Sequence, residues 1–509
     1  MGVARLPPVP DLEGAPAVGP PGLVARNVRA LALSSVWSRG LVFVWQLALA
    51  RWLGDEGYGV YGTIGALMVI AATLPEFGLG LIVVRDVARR PAAAGRYLTA
   101  TLLVQLPLAV LAYVAALGAA WIAGYPASLR RLLSLAGVLL LVDALGNMGH
   151  NQLVARERMV ICAGIAVAHA TLLVALSALA LGVGGGLAGL YLAAVLAGVA
   201  RTIAYWIAAW RVGCRPAWPV DRALLRSLPA EGLPLAALAF LTLAAFHGDK
   251  LITTALLGTA ATGQLTAAAV VVFGVVELFS TVPLVAVLPL MSRAHATGGE
   301  GLPGILARLG RLTLLVGLPL AAATSLLAAP LTATLFGGAF ARTADVLRIL
   351  IWAALAAMLA NIGAQVLIVR GEQGRLLGAR ATGLVVGWGL TLALLPHLGV
   401  TGAAPAALAA EILVLLLLAR ACDLPRTWWA GLRGRAARLG AAGLTLGIVV
   451  VLLRGVHPVL ALTAGLIAYA ALVRLSGALA PGDWAHLRRL VRGRPAEDPI
   501  ALERRPTGR

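Results

Sequence analysis

Fixed charge is scarce in this chain of 509 residues: Asp, Glu, Lys and Arg make up 12%, against roughly 25% in an ordinary soluble domain. Lysine is nearly missing, with Lys250 the only one, so every other fixed side-chain cation is an arginine. The three cysteines, Cys162, Cys214 and Cys422, stand apart without metal or redox spacing and read as packing residues. No GxxxxGK[ST] phosphate loop occurs, which argues against ATP hydrolysis by this chain. What is abundant is hydrocarbon: 60% of the residues are hydrophobic, and the mean hydropathy is +0.92. Apolar runs of about 20 residues recur from Asn27 to Gly477, each long enough to cross a hydrocarbon core of about 30 Å. An all-α polytopic membrane protein is expected, with no room for a soluble catalytic domain.

Spans are expected near 28–53, 60–84, 97–123, 131–154, 160–183 and 186–210, then near 231–257, 264–290, 312–336, 345–369, 376–397 and 400–420. A last pair lies near 437–454 and 457–477, giving about 14 helices. The division that follows is a Pro- and Gly-rich disordered tail (1–26), an N-terminal lobe of six helices (27–210) and a polar linker (211–230). A C-terminal lobe of six (231–420), a linker with helices 13 and 14 (421–477) and a basic tail (478–509) complete it. The tail 1–26 has no apolar core and does not read as a signal peptide. The net charge of +20 would suggest nucleic acid for a soluble protein, but here arginine is sorted by side of the membrane, and no nucleic-acid partner is expected. With the N-terminus inside, cytoplasmic segments hold Arg85, Arg89, Arg90, Arg96, Arg156, Arg158, Arg211, Arg215, Arg222 and Arg226, then Arg293, Arg308, Arg311, Arg370, Arg375 and Arg380. Arg420 to Arg438 and the basic tail continue the series, while the other side holds only Arg51, Arg130, Arg131, Arg342, Arg348 and Arg454. Both termini are therefore expected in the cytoplasm.

The chain repeats itself. LGDEGYGVY (53–61) after the first span has its counterpart in LGTAATGQL (257–265) after the seventh. GNMGHNQLVARER (146–158) matches ANIGAQVLIVRGE (360–372) at Asn147 and Asn361, Gly149 and Gly363, and Arg156 and Arg370. Six spans is an even number, so the halves enter the membrane with one orientation and are related by an axis along its normal, with a cleft between them.

Ionisable groups inside spans cost about 2.5 to 3.5 kcal/mol each on insertion scales, so they face a cavity or a partner. In the first span Ser35, Arg39 and Gln46 share a stripe, with Arg39 near the midplane. In the seventh, Asp249 and Lys250 belong to adjacent stripes, the second of which also holds His247; as neighbours about 100° apart they need not pair with each other. Glu277 in the eighth span reads equally as a proton or cation site or as a counter-ion for Arg39 or Lys250. Glu76, His247, Asp143 and Arg201 read first as packing or snorkelling groups, with His169 and Glu411 behind them.

Taken in order, several stretches resemble the O-antigen (Wzx-type) polysaccharide flippases of the multidrug/oligosaccharidyl-lipid/polysaccharide exporter superfamily. They are ARWLGDEGYGVYG, FGLGLIVVRDVARR, NQLVARERM, HGDKLITTALLGTAATG, VPLVAVLPLMSRA and VLIVRGEQG. The resemblance covers about residues 25 to 420, and Leu265 departs from it where the second-half motif usually ends in Tyr. It implies a non-enzymatic flippase in a bacterial inner membrane, moving a polyprenyl-pyrophosphate-linked oligosaccharide from the cytoplasmic to the outer leaflet by alternating access. Its implied partners are that substrate, membrane lipids, and the polymerase and glycosyltransferases of surface polysaccharide synthesis. Arg39, Lys250, Asp249, Gln46 and Arg201 are the candidate substrate-binding residues, with Arg39 and Lys250 supplying cations to the pyrophosphate. No catalytic residue, metal site or cofactor is expected. If transport is coupled to H+ or Na+, the candidate carboxylates are Glu277, Asp249 and Glu76. A cation-coupled multidrug exporter of the same superfamily would display acidic groups in its cleft, whereas here Arg39 and Lys250 stand beside Glu277. A glycan polymerase or ligase would need a large outer loop, and every outer loop is short.

Overall fold

The computed structural model describes residues 21–277, 279, 287, 291–292, 294–295, 302–423, 426–453 and 458–477. Most of the expected N-terminal tail, the basic tail from 478, Arg293, Arg454 and most of VPLVAVLPLMSRA lie outside them. Among the described residues there is no strand. The long helices are α1 (Pro21–Glu76), α2 (Leu79–Arg89), α3 (Ala94–Ile122), α4 (Ala127–Ala155), α5 (Met159–Gly182), α6 (Gly186–Arg211), α7 (Arg222–Leu257) and α8 (Thr259–Val276). They continue as α9 (Leu302–Leu326), α10 (Ala328–Phe336), α11 (Thr343–Val369), α12 (Gln373–Leu398), α13 (Ala403–Ala421), α14 (Arg426–Leu453) and α15 (Pro458–Leu475). Among the described residues ten stretches are long and apolar enough to cross a membrane. Two of them, Leu33–Arg89 and Gln373–Ala421, have the length of two crossings, and the shorter apolar helices Ala437–Leu453 and Leu460–Leu475 bring the bundle to about fourteen.

Glycine sets the corners. Gly54 breaks α1 with φ 67° and ψ −177°, and Gly258 separates α7 from α8 with φ 85° and ψ −179°, so the two LG motifs make the same turn. The longer repeat is equally literal. Gly149 packs against Tyr205 of α6 as Gly363 packs against Leu418 of α13. Arg156 donates to the Val212 carbonyl at 2.7 Å, and Arg370 donates to the Cys422 carbonyl at 2.8 Å. The first six spans (α1 to α6) and the next six (α7 to α13) form two pseudo-symmetric lobes, and α14 and α15 pack as a pair on α9.

Three local features differ from the expected spans. The second span ends at Phe77 and Gly78, both at positive φ, and α2 resumes as a short amphipathic helix. The second half of the expected linker 211–230 is already helix: Asp221 accepts the Ala223 N–H at 2.9 Å as an N-cap, and Leu228 packs with Leu79 and Ile82. The span near 312–336 is two helices, broken at Leu327. Large apolar side chains such as Val36, Trp121, Ile122, Leu444 and Leu475 point outward, as a bundle solvated by lipid requires.

The lobes meet at both ends of the bundle. At the end opposite the arginine-rich loops, a side chain at Gly59 would strike the Thr259 carbonyl, one at Gly263 the Asp55 carbonyl, and one at Gly62 the Thr266 hydroxyl. The Thr63 and Thr254 hydroxyls bond at 2.6 Å, Gln264 donates to Asp55 at 3.2 Å, and the Tyr125 hydroxyl donates to the Leu251 carbonyl at 2.9 Å. At the arginine-rich end Phe77 and Gly78 seat against Gly232 and Leu235, and Arg85 of α2 reaches Glu231 of α7 at 3.0 Å.

Candidate functional site

The sole lysine sits in the interior of α7, 5% exposed. Its ammonium lies over the Phe273 ring of α8, 5.2 Å from the centroid, and among the described residues no carboxylate comes within ion-pair distance. His247 stacks on the same ring at 5.1 Å, and Phe246 meets it edge-on at 5.8 Å. One helical turn along α8 stands Glu277, paired with Arg39 of α1. Arg39 and Glu277 keep 59% and 39% of their side-chain surface. Through neighbouring turns of α8, one cation from each lobe is thus presented to the seam between the lobes, Arg39 held by a carboxylate and Lys250 by an aromatic face alone. Gln46 lies half-buried on α1, two turns from Arg39. It stands eight residues before Gly54, as Lys250 stands eight before Gly258, so the repeat puts an amide where the second lobe has its ammonium.

Asp249 lies on the second-lobe side of the same Phe273 ring. Its carboxylate accepts the backbone N–H of Lys250 at 2.8 Å and lines a cavity of about 70 Å3 inside the second lobe, together with Arg380, Glu411 and Trp388. Arg380 donates to Asn361 at 2.9 Å and stands 3.7 Å from Glu411, the two side chains 4% and 10% exposed. Arg380 was expected among the cytoplasmic loop arginines; two turns inside α12, it is a buried partner of an intramembrane carboxylate. The signal for it was available in the charge pattern, since Glu411 and Asn361 each required a partner within the span.

Arg201 likewise stays inside its own lobe. It bonds Asp143 at 2.6 Å, and Asn147 donates to Glu76 at 3.4 Å. These four line a pocket of about 210 Å3 with Gln105. Of the eight expected positions, counting Asp249 in both its roles, the structure brings Arg39, Lys250 and Glu277 to one seam. Asp249 is assigned to the second lobe's cavity, Arg201 and Glu76 to the first lobe's pocket, and Gln46 to α1. Among the described residues no cluster of His, Cys, Asp and Glu suits a metal ion.

A family model described as polysaccharide biosynthesis protein matches residues 24–295. No curated protein matches the chain. Among solved structures, the lipid II flippase MurJ in an inward closed conformation is similar with a TM-score of 0.69 at 12% identity, over 87% of this chain and 98% of that one. An inward-facing multidrug resistance MATE family transporter of the MOP superfamily is similar with a TM-score of 0.64 at 17% identity, over 80% of this chain and 99% of that one. At these identities the likeness is one of fold.

Proposed function

Since the chain belongs to the polysaccharide biosynthesis protein family and folds as the transporters of the MOP superfamily do, we propose that it is a flippase for a polyprenyl-pyrophosphate-linked oligosaccharide, working by alternating access in a bacterial inner membrane with both termini cytoplasmic. One observation carries the choice of an anionic head group: Lys250, buried in a transmembrane helix, has an aromatic ring against its ammonium and, among the described residues, no carboxylate within ion-pair distance. A buried charge without a counter-ion is costly, and a diphosphate supplies the missing one. Arg39 offers a planar donor fork one turn away along α8, and releasing it requires the diphosphate to replace Glu277. The head group then binds between lobes related by an axis normal to the membrane, and rocking of one lobe against the other about an axis in the membrane plane exposes it to one side and then the other.

Coupling to H+ or Na+ would use carboxylates. In this reading Glu277, released when the diphosphate takes Arg39, is the carboxylate that picks up the coupling cation. Asp249 and Glu76 serve, in this reading, from the separate cavities of their lobes. The test is flipping of a fluorescent polyprenyl-pyrophosphate glycan by purified protein in liposomes. Wild type is expected to flip it and Lys250→Gln to lose flipping with unchanged protein level. Equal flipping by both would remove Lys250 from the route, and no flipping by folded wild type would overturn the substrate class.

A further inference from the structure

Two contacts join α1 to α7, and a groove lies between them. The Thr63–Thr254 hydrogen bond joins them at one end, and Phe77 seats on Gly232 at the other. Along α1 these points are about 21 Å apart, most of the thickness of a hydrocarbon core. The gap holds a groove of about 430 Å3, whose walls are Ile70 and Leu74 of α1, Ala112 and Ala116 of α3, and Ala237 and Phe240 of α7. Its one side-chain hydroxyl, that of Thr73, is already engaged at 2.7 Å with the Ile70 carbonyl, so the lining is almost wholly hydrocarbon. It opens sideways beside Leu233 and Phe240, which are 58% and 43% exposed.

This groove is one of two seams between the lobes. The other, between α1 and α8, is crossed by the Arg39–Glu277 pair, and a hydrocarbon chain lying there would strip water from two charges. Phe240 stands two turns before His247 on one stripe of α7, so the apolar groove runs directly toward the turn that carries Lys250. We propose that the groove holds the polyprenyl tail of the substrate, which leaves the protein sideways between α3 and α7 while its diphosphate rests at Lys250 and Arg39. The proposal rests on the flippase reading above and adds the path of the tail. The occupant is the substrate's own chain, because the groove lies on the interface that moves and continues into the head-group seam; a bulk phospholipid has no reason to track that seam.

The experiment uses full-length protein in liposomes and a polyprenyl pyrophosphate carrying a diazirine in its tail. Photolabel is expected on the peptides holding 112–119 and 233–240, and it is displaced by unlabelled polyprenyl phosphate but not by phosphatidylglycerol. Ala115→Trp and Ala237→Trp, at exposed and half-buried positions respectively, are expected to lower that labelling about tenfold. A thermal melt matching wild type shows that each variant is folded. Label concentrated on α1 and α8 around Arg39 and Glu277 overturns the proposal, as does equal displacement by phosphatidylglycerol. Flipping by wild type without label in the groove overturns the tail path and leaves the flippase reading standing. Competed label in the groove of a wild type that does not flip supports the tail site while removing the flippase reading.

Discussion

Asp249 and Lys250 are adjacent in sequence and belong to different chemistry, because a step of about 100° around α7 sends one into the second lobe and the other to the seam. Asp249→Asn is therefore expected to leave diphosphate binding near wild type, whereas Lys250→Gln removes it; binding of a polyprenyl pyrophosphate to detergent-solubilised protein reads the difference. Arg39→Glu sets two carboxylates against each other and is expected to stop flipping, and the exchange Arg39→Glu with Glu277→Arg is expected to restore a measurable part of it. Arg380 and Glu411 behave differently, since both are almost fully buried. Arg380→Ala leaves a buried carboxylate unpaired and should cost about 3 to 5 kcal/mol, while Arg380→Met combined with Glu411→Leu recovers most of that. Relative thermal stability in detergent checks both. The sequence marked which residues are costly inside a span and offered Glu277 as a counter-ion for Arg39 or Lys250, of which the structure selects Arg39; the other pairings were not legible. Asp143 with Arg201 and Arg380 with Glu411 each join residues at least 31 positions apart, and no helical spacing reports that.

At the scale of elements, the spans, the repeat and the pair α14 and α15 were legible because each rests on about 20 apolar residues or on a repeated motif. The breaks inside spans were not. Phe77 and Gly78 stop α1 within an apolar run, and the turn is decided by the Gly232 backbone seated on Phe77, a contact with a helix some 155 residues on (232 less 77). Glycine has two separate uses here, and substitutions tell them apart. Gly54 needs its backbone freedom but has open space around it, so Gly54→Ala is expected to cost about 1 to 3 kcal/mol in stability with the lobe contact kept. Gly59 is ordinary helix, yet a side chain there meets the Thr259 carbonyl. Gly59→Val is expected to part α1 from α8 and expose the seam. Alkylation of a cysteine placed at Thr254, which is 6% exposed in the closed contact, should then rise sharply in Gly59→Val and stay slow in Gly54→Ala.

For the whole molecule, the two ends are closed by interactions of different kinds. The arginine-rich end joins apolar packing of Phe77, Leu79 and Ile82 on Gly232 and Leu228 to an exposed pair, Arg85 and Glu231, which contributes about 0 to 1 kcal/mol and weakens with salt. The other end is closed by the buried Thr63–Thr254 hydroxyl pair, by backbones brought together at Gly59 and Gly263, and by Gln264 on the Asp55 carboxylate, with no ion pair between the lobes among the described residues there. Salt therefore loosens the arginine-rich end alone, the end where a substrate made in the cytoplasm enters in the proposed orientation. Transport then requires the opposite closure to break once per cycle. The Thr63 and Thr254 hydroxyls at 2.6 Å put their Cβ atoms near the separation a disulfide needs, about 3.5 to 4.5 Å. In a background with Cys162, Cys214 and Cys422 replaced, Thr63→Cys with Thr254→Cys is expected to flip substrate when reduced and to stop when oxidised. Diphosphate binding from the arginine-rich side should survive oxidation, because Lys250 and Arg39 remain reachable through the end that is still free. Glu231→Gln should leave flipping within about threefold of wild type, because it removes one exposed ion pair and leaves the apolar packing at that end in place. Full flipping by the oxidised double-cysteine protein would mean that the lobes do not part at that end, and alternating access through this seam would have to be abandoned.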